Sequence, residues 1–89
     1  METFATKATN LSASAQIKGT SGVLVGVVIN SHTSGTLKFW NNTAGSGAVL
    51  FNTITLAVGE RTIEFFNANF DTALFLTIGG TADVTVLTK

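Results

Sequence analysis

The stretch that decides the fold is Leu74-Phe75-Leu76-Thr77-Ile78-Gly79-Gly80-Thr81-Ala82-Asp83-Val84-Thr85-Val86. Its apolar residues recur at every second position, which is the pattern of a half-buried β-strand, because successive strand side chains point to opposite faces of the sheet. The Gly79-Gly80 pair predicts a two-residue hairpin turn between two such strands. The same alternation recurs in segments 13–18, 36–40, 53–58 and 62–65.

Turn signals separate these segments. Ser34-Gly35 predicts a turn between two strands, and Val58-Gly59-Glu60-Arg61 predicts a tight hairpin with Gly at its first central position. The segments 43–47 and 67–72 are predicted as loops, the second with room for one short helical turn. We therefore expect an all-β fold, a single small β-sandwich of seven or eight antiparallel strands over residues 13–89. Residues 1–12 are expected to be an N-terminal arm or a first strand.

One segment departs from the alternation. The run from Val23 to Ile29 is apolar on both faces. Either it is a central strand covered by the core on one side and a neighbouring subunit on the other, or Gly26 marks a bulge that lets one strand serve two sheets. The predicted core comprises Leu24, Val28, Leu37, Phe39, Ile54, Leu56, Ile63, Phe65, Leu74, Leu76, Val84 and Val86.

The chain is poor in charge. Five Lys or Arg and five Asp or Glu make 11% of 89 residues, against about 25% in ordinary soluble domains. Hydrophobic residues make 45%, and a core of this size is marginal on its own. With no Cys for disulfides, association with further copies is the expected compensation, so we predict a homo-oligomer.

The same composition excludes several partners. The basic residues are scattered and the net charge is zero, which argues against nucleic-acid binding. The longest apolar run, Gly22 to Ile29, is too short to cross a bilayer, and the N-terminus lacks the features of a signal peptide. We expect synthesis in a cytoplasm and no membrane partner.

Residues with chemical potential are few. His32 is predicted as a solvated loop residue, and Glu60 and Glu64 as a solvated face rather than a catalytic pair. Asp83 is predicted to face outward on the last strand, where an edge charge discourages stray strand pairing. The sequence therefore predicts no enzyme, no cofactor and no metal site.

The aromatic residues offer a different kind of site. Trp40, Phe66 and Phe75 fall on the non-core sides of their strands, and Trp40 is open to three roles: core, interface or a platform that stacks on sugar. Together with Val25 and Val27 of the doubly apolar segment, these three rings form the candidate interface.

Three segments carry a resemblance to a known class of protein. They are Ser21 to Asn30, then Ser34 to Gly47 with Gly35-Thr36-Leu37-Lys38-Phe39-Trp40-Asn41-Asn42-Thr43 at its centre, then Gly79-Gly80-Thr81-Ala82-Asp83-Val84-Thr85-Val86. In this layout of strands and turns the chain resembles small structural proteins of tailed bacteriophages over most of residues 12–89.

The resemblance implies a role and a location. It implies a jelly-roll-like β-sandwich and a virion structural protein, a capsid cement or decoration protein that stabilises the head by binding its outer surface. Head-fibre or tail-associated components, and a small carbohydrate-binding module on the phage surface, are the alternatives. The implied partners are the chain itself, as a homotrimer, and the major capsid protein or another virion protein. The resemblance brings no catalytic residues.

Overall fold

The computed structural model describes residues 7–59 and 61–89, and these form six β-strands with no helix. The strands are β1 (Lys7–Leu11), β2 (Ala15–Lys18), β3 (Gly22–Trp40), β4 (Val49–Thr55), β5 (Thr62–Phe70) and β6 (Leu74–Thr88). All the observed pairings are antiparallel and belong to one sheet. The expectation of an all-β, antiparallel chain is confirmed.

A long two-stranded ribbon of β3 and β6 forms the centre of the sheet. Its register runs from the Leu24–Thr88 pair at one end to the Trp40–Phe75 pair at the other. The end that holds Leu24 is flanked by β5 and β1, and the end that holds Trp40 is flanked by β4 and β2. We call these the first half and the second half of the sheet.

The ribbon is bent in the middle. An extended strand of 19 residues such as β3 would measure about 60 Å, whereas the longest dimension of the molecule is 31 Å. The register of β3 against β6 shifts between Ile29 and Ser31 and again between Thr33 and Thr36. Ser34 and Gly80 have φ values of 51° and 66°. We call residues 31–35 of β3 and 79–81 of β6 the crease.

The crease corrects two predicted hairpins. Ser34-Gly35 and Gly79-Gly80 do not reverse the chain but face each other, since Thr33 pairs with Thr81 and Thr36 with Gly79. Each pair supplies the backbone freedom of a turn, and both strands use it to bend together. Two predicted strand pairs thus merge into β3 and β6, and the described residues hold six strands rather than seven or eight.

The other predicted turns also differ. β4 and β5 were expected to form a hairpin around residues 58–61, yet within the described residues each pairs with a different stretch of β3. Gly59 has a φ of 83°, and Glu60 lies outside the described residues. The predicted loop at 67–72 is mostly strand, because β5 continues to Phe70. Of the N-terminal segment 1–12, residues 7–11 form β1, and residues 1–6 are not described.

The core contains contacts between residues of the two halves. The ring of Phe65 on β5 meets that of Phe39 edge-on at 5.0 Å and that of Phe51 on β4 at 4.7 Å. Because Phe65 belongs to the first half and its two partners to the second, these contacts join the halves. Nine of the twelve predicted core residues are buried, and Ile54 and Ile63 pack partly buried against them.

A bulge in β3 explains why the twelfth predicted core residue, Val28, is not buried. The register of β3 shifts between Leu24 and Gly26 against both of its neighbours, β5 and β6. A bulge at this place was part of one of the two arrangements that the sequence left open, but the strand here serves a single sheet and not two. It moves the inward positions to Val27 and Ile29, which are buried, and leaves Val28 only half-buried. The predicted core position of Val28 was wrong because the bulge reverses the alternation.

Candidate interaction surfaces

Phe66 is an exposed aromatic residue on β5. Its side chain is 83% exposed, whereas that of the preceding Phe65 is buried. Between Glu64 and Ala68, β5 has three residues where β3 has only Val25. Both extra residues, Phe66 and Asn67, adopt positive φ values of 53° and 58°. Phe65 and Phe66 lie on opposite faces, as in any strand, and the bulge places the outward one in the left-handed region.

This conformation is costly for the residue that adopts it. A bulky side chain in the left-handed region is a genuine outlier, and such positions persist only where the surrounding structure enforces them. Here the enforcement comes from the pairing of β5 with β3 on both sides of the bulge. Phe66 is thus a rigidly presented aromatic knob.

The two valines of the candidate interface have different positions. Val25 lies opposite the β5 bulge and is half-buried. Val27 is 0% exposed and belongs to the core within a single chain. Including Val27 in the candidate interface was therefore wrong, because the bulge at Val25 turns its side chain inward.

Trp40 is held in place by its neighbours. The side chain is half-buried, and its Nε1–H donates to Thr77 Oγ1 at 3.0 Å. The Lys38 ammonium lies 4.3 Å from the centroid of the indole ring, a cation–π contact. Because the ammonium occupies one face of the ring, a sugar could stack there only by displacing it.

Phe75 is the cross-strand partner of Trp40 and is also half-buried. A Cβ built on Gly45 would lie 3.2 Å from Phe75 Cε1, so the loop after β3 passes directly over the ring. That loop is closed by a hydrogen bond from Asn41 N–H to the Ala48 carbonyl at 2.9 Å. Trp40 and Phe75 therefore share one site on the second half, while Phe66 stands apart on the first.

Sequence reasoning missed two exposed valines, Val49 at 46% and Val58 at 101%. Both lie in a segment without any charged residue, 39–59, which contains the whole of β4. We call residues 39–59 the uncharged segment. The signal was present in the sequence, but the alternating pattern at 53–58 placed Val58 in a strand, whereas β4 ends at Thr55.

A groove of about 550 Å³ lies at the crease. Its lining includes Ile29, Ser31, His32, Val58 and Arg61. His32 is not a solvated loop residue as predicted, since it belongs to β3 and is half-buried. Its Nδ1 accepts from Gly35 N–H at 3.4 Å and its Nε2 donates to the Ala57 carbonyl at 2.9 Å. The imidazole therefore connects the crease to the segment that follows β4.

Asp83 lies on a central strand rather than at an edge, because β6 is paired with β3 on one side and β1 on the other. Its carboxylate accepts from Asn10 Nδ2 at 2.7 Å and from Asn30 Nδ2 at 2.9 Å. These two hydrogen bonds, the one from Asn10 first, hold the pKa of Asp83 below its ordinary value of 3.8. Asp83 joins β1 to β3 across β6.

This lowered pKa predicts a pH-dependent contribution to stability. A carboxyl whose folded pKa is depressed stabilises the fold above its unfolded pKa, about 3.9, and loses that contribution as pH falls through the folded pKa. We expect Asp83→Asn to be less stable than wild type in urea unfolding at neutral pH, and the difference to shrink near pH 2. An unchanged difference at both pH values would show that the charge of Asp83 contributes nothing.

The remaining side chains do not gather into a reactive centre. Among residues 7–59 and 61–89, no three His, Cys, Asp or Glu side chains come together in a way that could hold a metal ion. Glu64 is exposed on β5, and its predicted neighbour Glu60 is not described. In the same part of the chain, no helix is long and apolar enough to span a membrane.

The chain was compared with known proteins. No protein-family model matches it, and no curated protein sequence matches it significantly.

Proposed function

We propose that the chain is a structural protein of a bacteriophage virion, a capsid cement or decoration protein that binds the outer capsid and stabilises the head. In this proposal the two halves of the sheet are the layers of a small, jelly-roll-like β-sandwich. The protein is a homo-oligomer, a trimer in keeping with the threefold sites of icosahedral shells, made in the host cytoplasm and located on the virion. It is not an enzyme and needs no cofactor.

The observation that carries this proposal is the uncharged segment. Natural sheets protect an edge strand with charges or proline, because exposed backbone N–H and C=O groups pair readily with other chains. β4 has neither, and within the described residues it pairs only with β3. Val49, the first residue of β4, and Val58, three residues after its end, are exposed. A surface of this kind is suited to contact with a larger body, and the major capsid protein or another virion protein would cover it.

Assembly on a shell also explains the low charge of the whole chain. A free domain needs surface charge to remain soluble. A decoration protein on the capsid has part of its surface covered. Copies linked in an oligomer bind multivalently, so the affinity of each single contact can be modest. Because it binds only the assembled head, it stabilises that state by mass action.

A charge placed on the uncharged segment should weaken binding to the head. Thr53 is an exposed β4 residue, and Thr53→Asp introduces a desolvated, unpaired carboxylate into the contact. We expect affinity for heads that lack the protein to fall by about tenfold or more in co-sedimentation. The control is Thr20→Asp. Thr20 is also exposed but lies in the turn between β2 and β3, so this variant should bind as wild type does.

Cryo-electron microscopy of the source particle tests the location. The proposal expects density for the chain on the outer capsid. Density on a head fibre or on the tail would favour the alternative virion roles, and absence of the chain from purified particles would contradict a virion role altogether.

The carbohydrate-binding alternative depends on Trp40. Its indole ring is half-buried, bonded to Thr77 and covered on one face by Lys38. These contacts favour a structural role for the ring over a stacking platform. A glycan array separates the two functions: reproducible binding that Trp40→Ala abolishes would establish the carbohydrate module, and we expect no binding.

A further inference from the structure

We propose that copies of this chain associate head-to-tail, with Phe66 of one copy inserted into the groove at the crease of the next. In this contact Glu64 beside the inserted ring faces Arg61 at the rim of the neighbour's groove. This contact would be the interface of the homo-oligomer in the proposed function, and the inference rests on the proposed function to that extent. It is tested on the purified chain without any capsid, so the two can fail separately.

The knob, Phe66, is exposed and held by its strand. Phe66 is 83% exposed, and the paired residues of β3 on both sides of the bulge fix its position. Because the backbone of Phe66 is already held, docking costs no further ordering of the backbone there, and a Phe ring has only two side-chain torsions to fix. Buried aromatic anchors surrounded by weaker contacts dominate the energetics of protein interfaces.

The groove is the second argument. Its volume of about 550 Å³ is in the range of cavities that accept organic groups. Val58 supplies its apolar surface and is fully exposed in the isolated chain, whereas Ile29, also in the lining, is only 3% exposed. The bent backbone of β3 forms one wall, held by the hydrogen bonds of His32 to Gly35 and Ala57. The groove depends on the bend in the backbone of β3, as the knob depends on the bulge in β5.

Charge complementarity is the third argument and selects a second copy as the occupant. Glu64 is exposed two residues before Phe66, and Arg61 is exposed at the groove. Neither is in an ion pair with any other described residue. Inserting Phe66 into the groove of another copy brings these opposite charges together at the rim, where they favour the correct orientation.

The contact is heterologous, because knob and groove are different surfaces of the same chain. Repetition of a heterologous contact gives a closed ring if the rotation between copies closes, and an open filament if it does not. A ring of three is the arrangement that agrees with the proposed trimer.

Sedimentation velocity of variants tests the contact. We expect Phe66→Ser to weaken self-association by on the order of 30-fold, the effect of removing a central aromatic anchor. Arg61→Glu should weaken it too, because it places two carboxylates at the rim. Val49→Ser, which removes an exposed apolar group outside the knob and the groove, is the control and should associate as wild type does.

A mixing experiment identifies the head-to-tail geometry. The Phe66→Ser chain keeps its groove, and the Arg61→Glu chain keeps its knob and Glu64. An equimolar mixture should therefore form a one-to-one dimer that grows no further, at a concentration where each variant alone is mostly monomeric. Circular dichroism of both variants establishes that their strands are intact. A Phe66→Ser chain that associates like wild type, or a mixture that stays monomeric, would overturn the proposal.

Discussion

Replacing Phe65 by Ala is expected to lower the free energy of unfolding by about 3–5 kcal/mol, the range of phenylalanine truncations in well-packed cores. The side chain is 5% exposed and its ring contacts Phe39 and Phe51 across the interior. Since those partners belong to the opposite half of the sheet, the truncation removes contacts that hold the halves together. Small domains have only about 5–15 kcal/mol of stability, so the variant should be close to unfolding.

The adjacent Phe66 supplies a matched control. It is the same residue type on the same strand, but its side chain points outward and its backbone lies in the left-handed region. Phe66→Ala should change the free energy of unfolding by no more than about 0.5 kcal/mol, as surface substitutions usually do. Urea unfolding at a protein concentration low enough to keep both chains monomeric measures the difference. Equal losses for the two variants would contradict the described bulge.

Replacing Gly80 by Ala is the second large effect, with an expected loss of about 2–5 kcal/mol in the free energy of unfolding. The φ of Gly80 is 66°, a conformation that costs an L-residue about 1–2 kcal/mol. In addition, a Cβ on Gly80 would overlap the carbonyl oxygen of Ser34 on the facing strand. Because the Ser34 oxygen belongs to the backbone, the overlap can be removed only if the two strands move apart at the crease. Overpacking of this kind costs about 1–3 kcal/mol.

Gly59 separates the two contributions. Its φ of 83° is also positive, but a Cβ there meets nothing within 4 Å. Gly59→Ala should therefore show only the conformational cost, about 1–2 kcal/mol. Thermal unfolding of the two variants compares them directly. If Gly80→Ala is no less stable than Gly59→Ala, the two strands do not approach each other closely at the crease.

The alternating pattern predicted the strands well because burial on one face of a sheet repeats every two residues. Leu74, Leu76, Val84 and Val86 are all buried as the pattern indicates. The pattern failed at Val28 because a bulge adds one residue and exchanges the two faces beyond it. Gly26 marked that place, yet a glycine alone does not say which strand carries the extra residue or in which direction the faces change.

The crease could not be predicted from local signals. Gly79-Gly80 has the composition of a hairpin turn, and it provides the positive φ that such a turn needs. Whether the chain reverses there depends on which strands pair, and β6 pairs with β3 on both sides of the glycines. This pairing joins residues about 50 positions apart in sequence. No short window of sequence contains that information.

The outward positions of Trp40, Phe66 and Phe75 follow from the alternation. In the structure Phe66 is exposed, and Trp40 and Phe75 are half-buried. The alternation could not show that Lys38 and the loop after β3 would cover Trp40 and Phe75. The alternation also could not show the β5 bulge. Its two residues with positive φ are Phe66 and Asn67, and neither is the glycine that would indicate such a conformation.

Association between copies is tested by sedimentation velocity of the purified wild-type chain. We expect a species larger than the 9.2 kDa chain at micromolar concentration, with its proportion rising as concentration rises. A single species of 9.2 kDa at every concentration would contradict it.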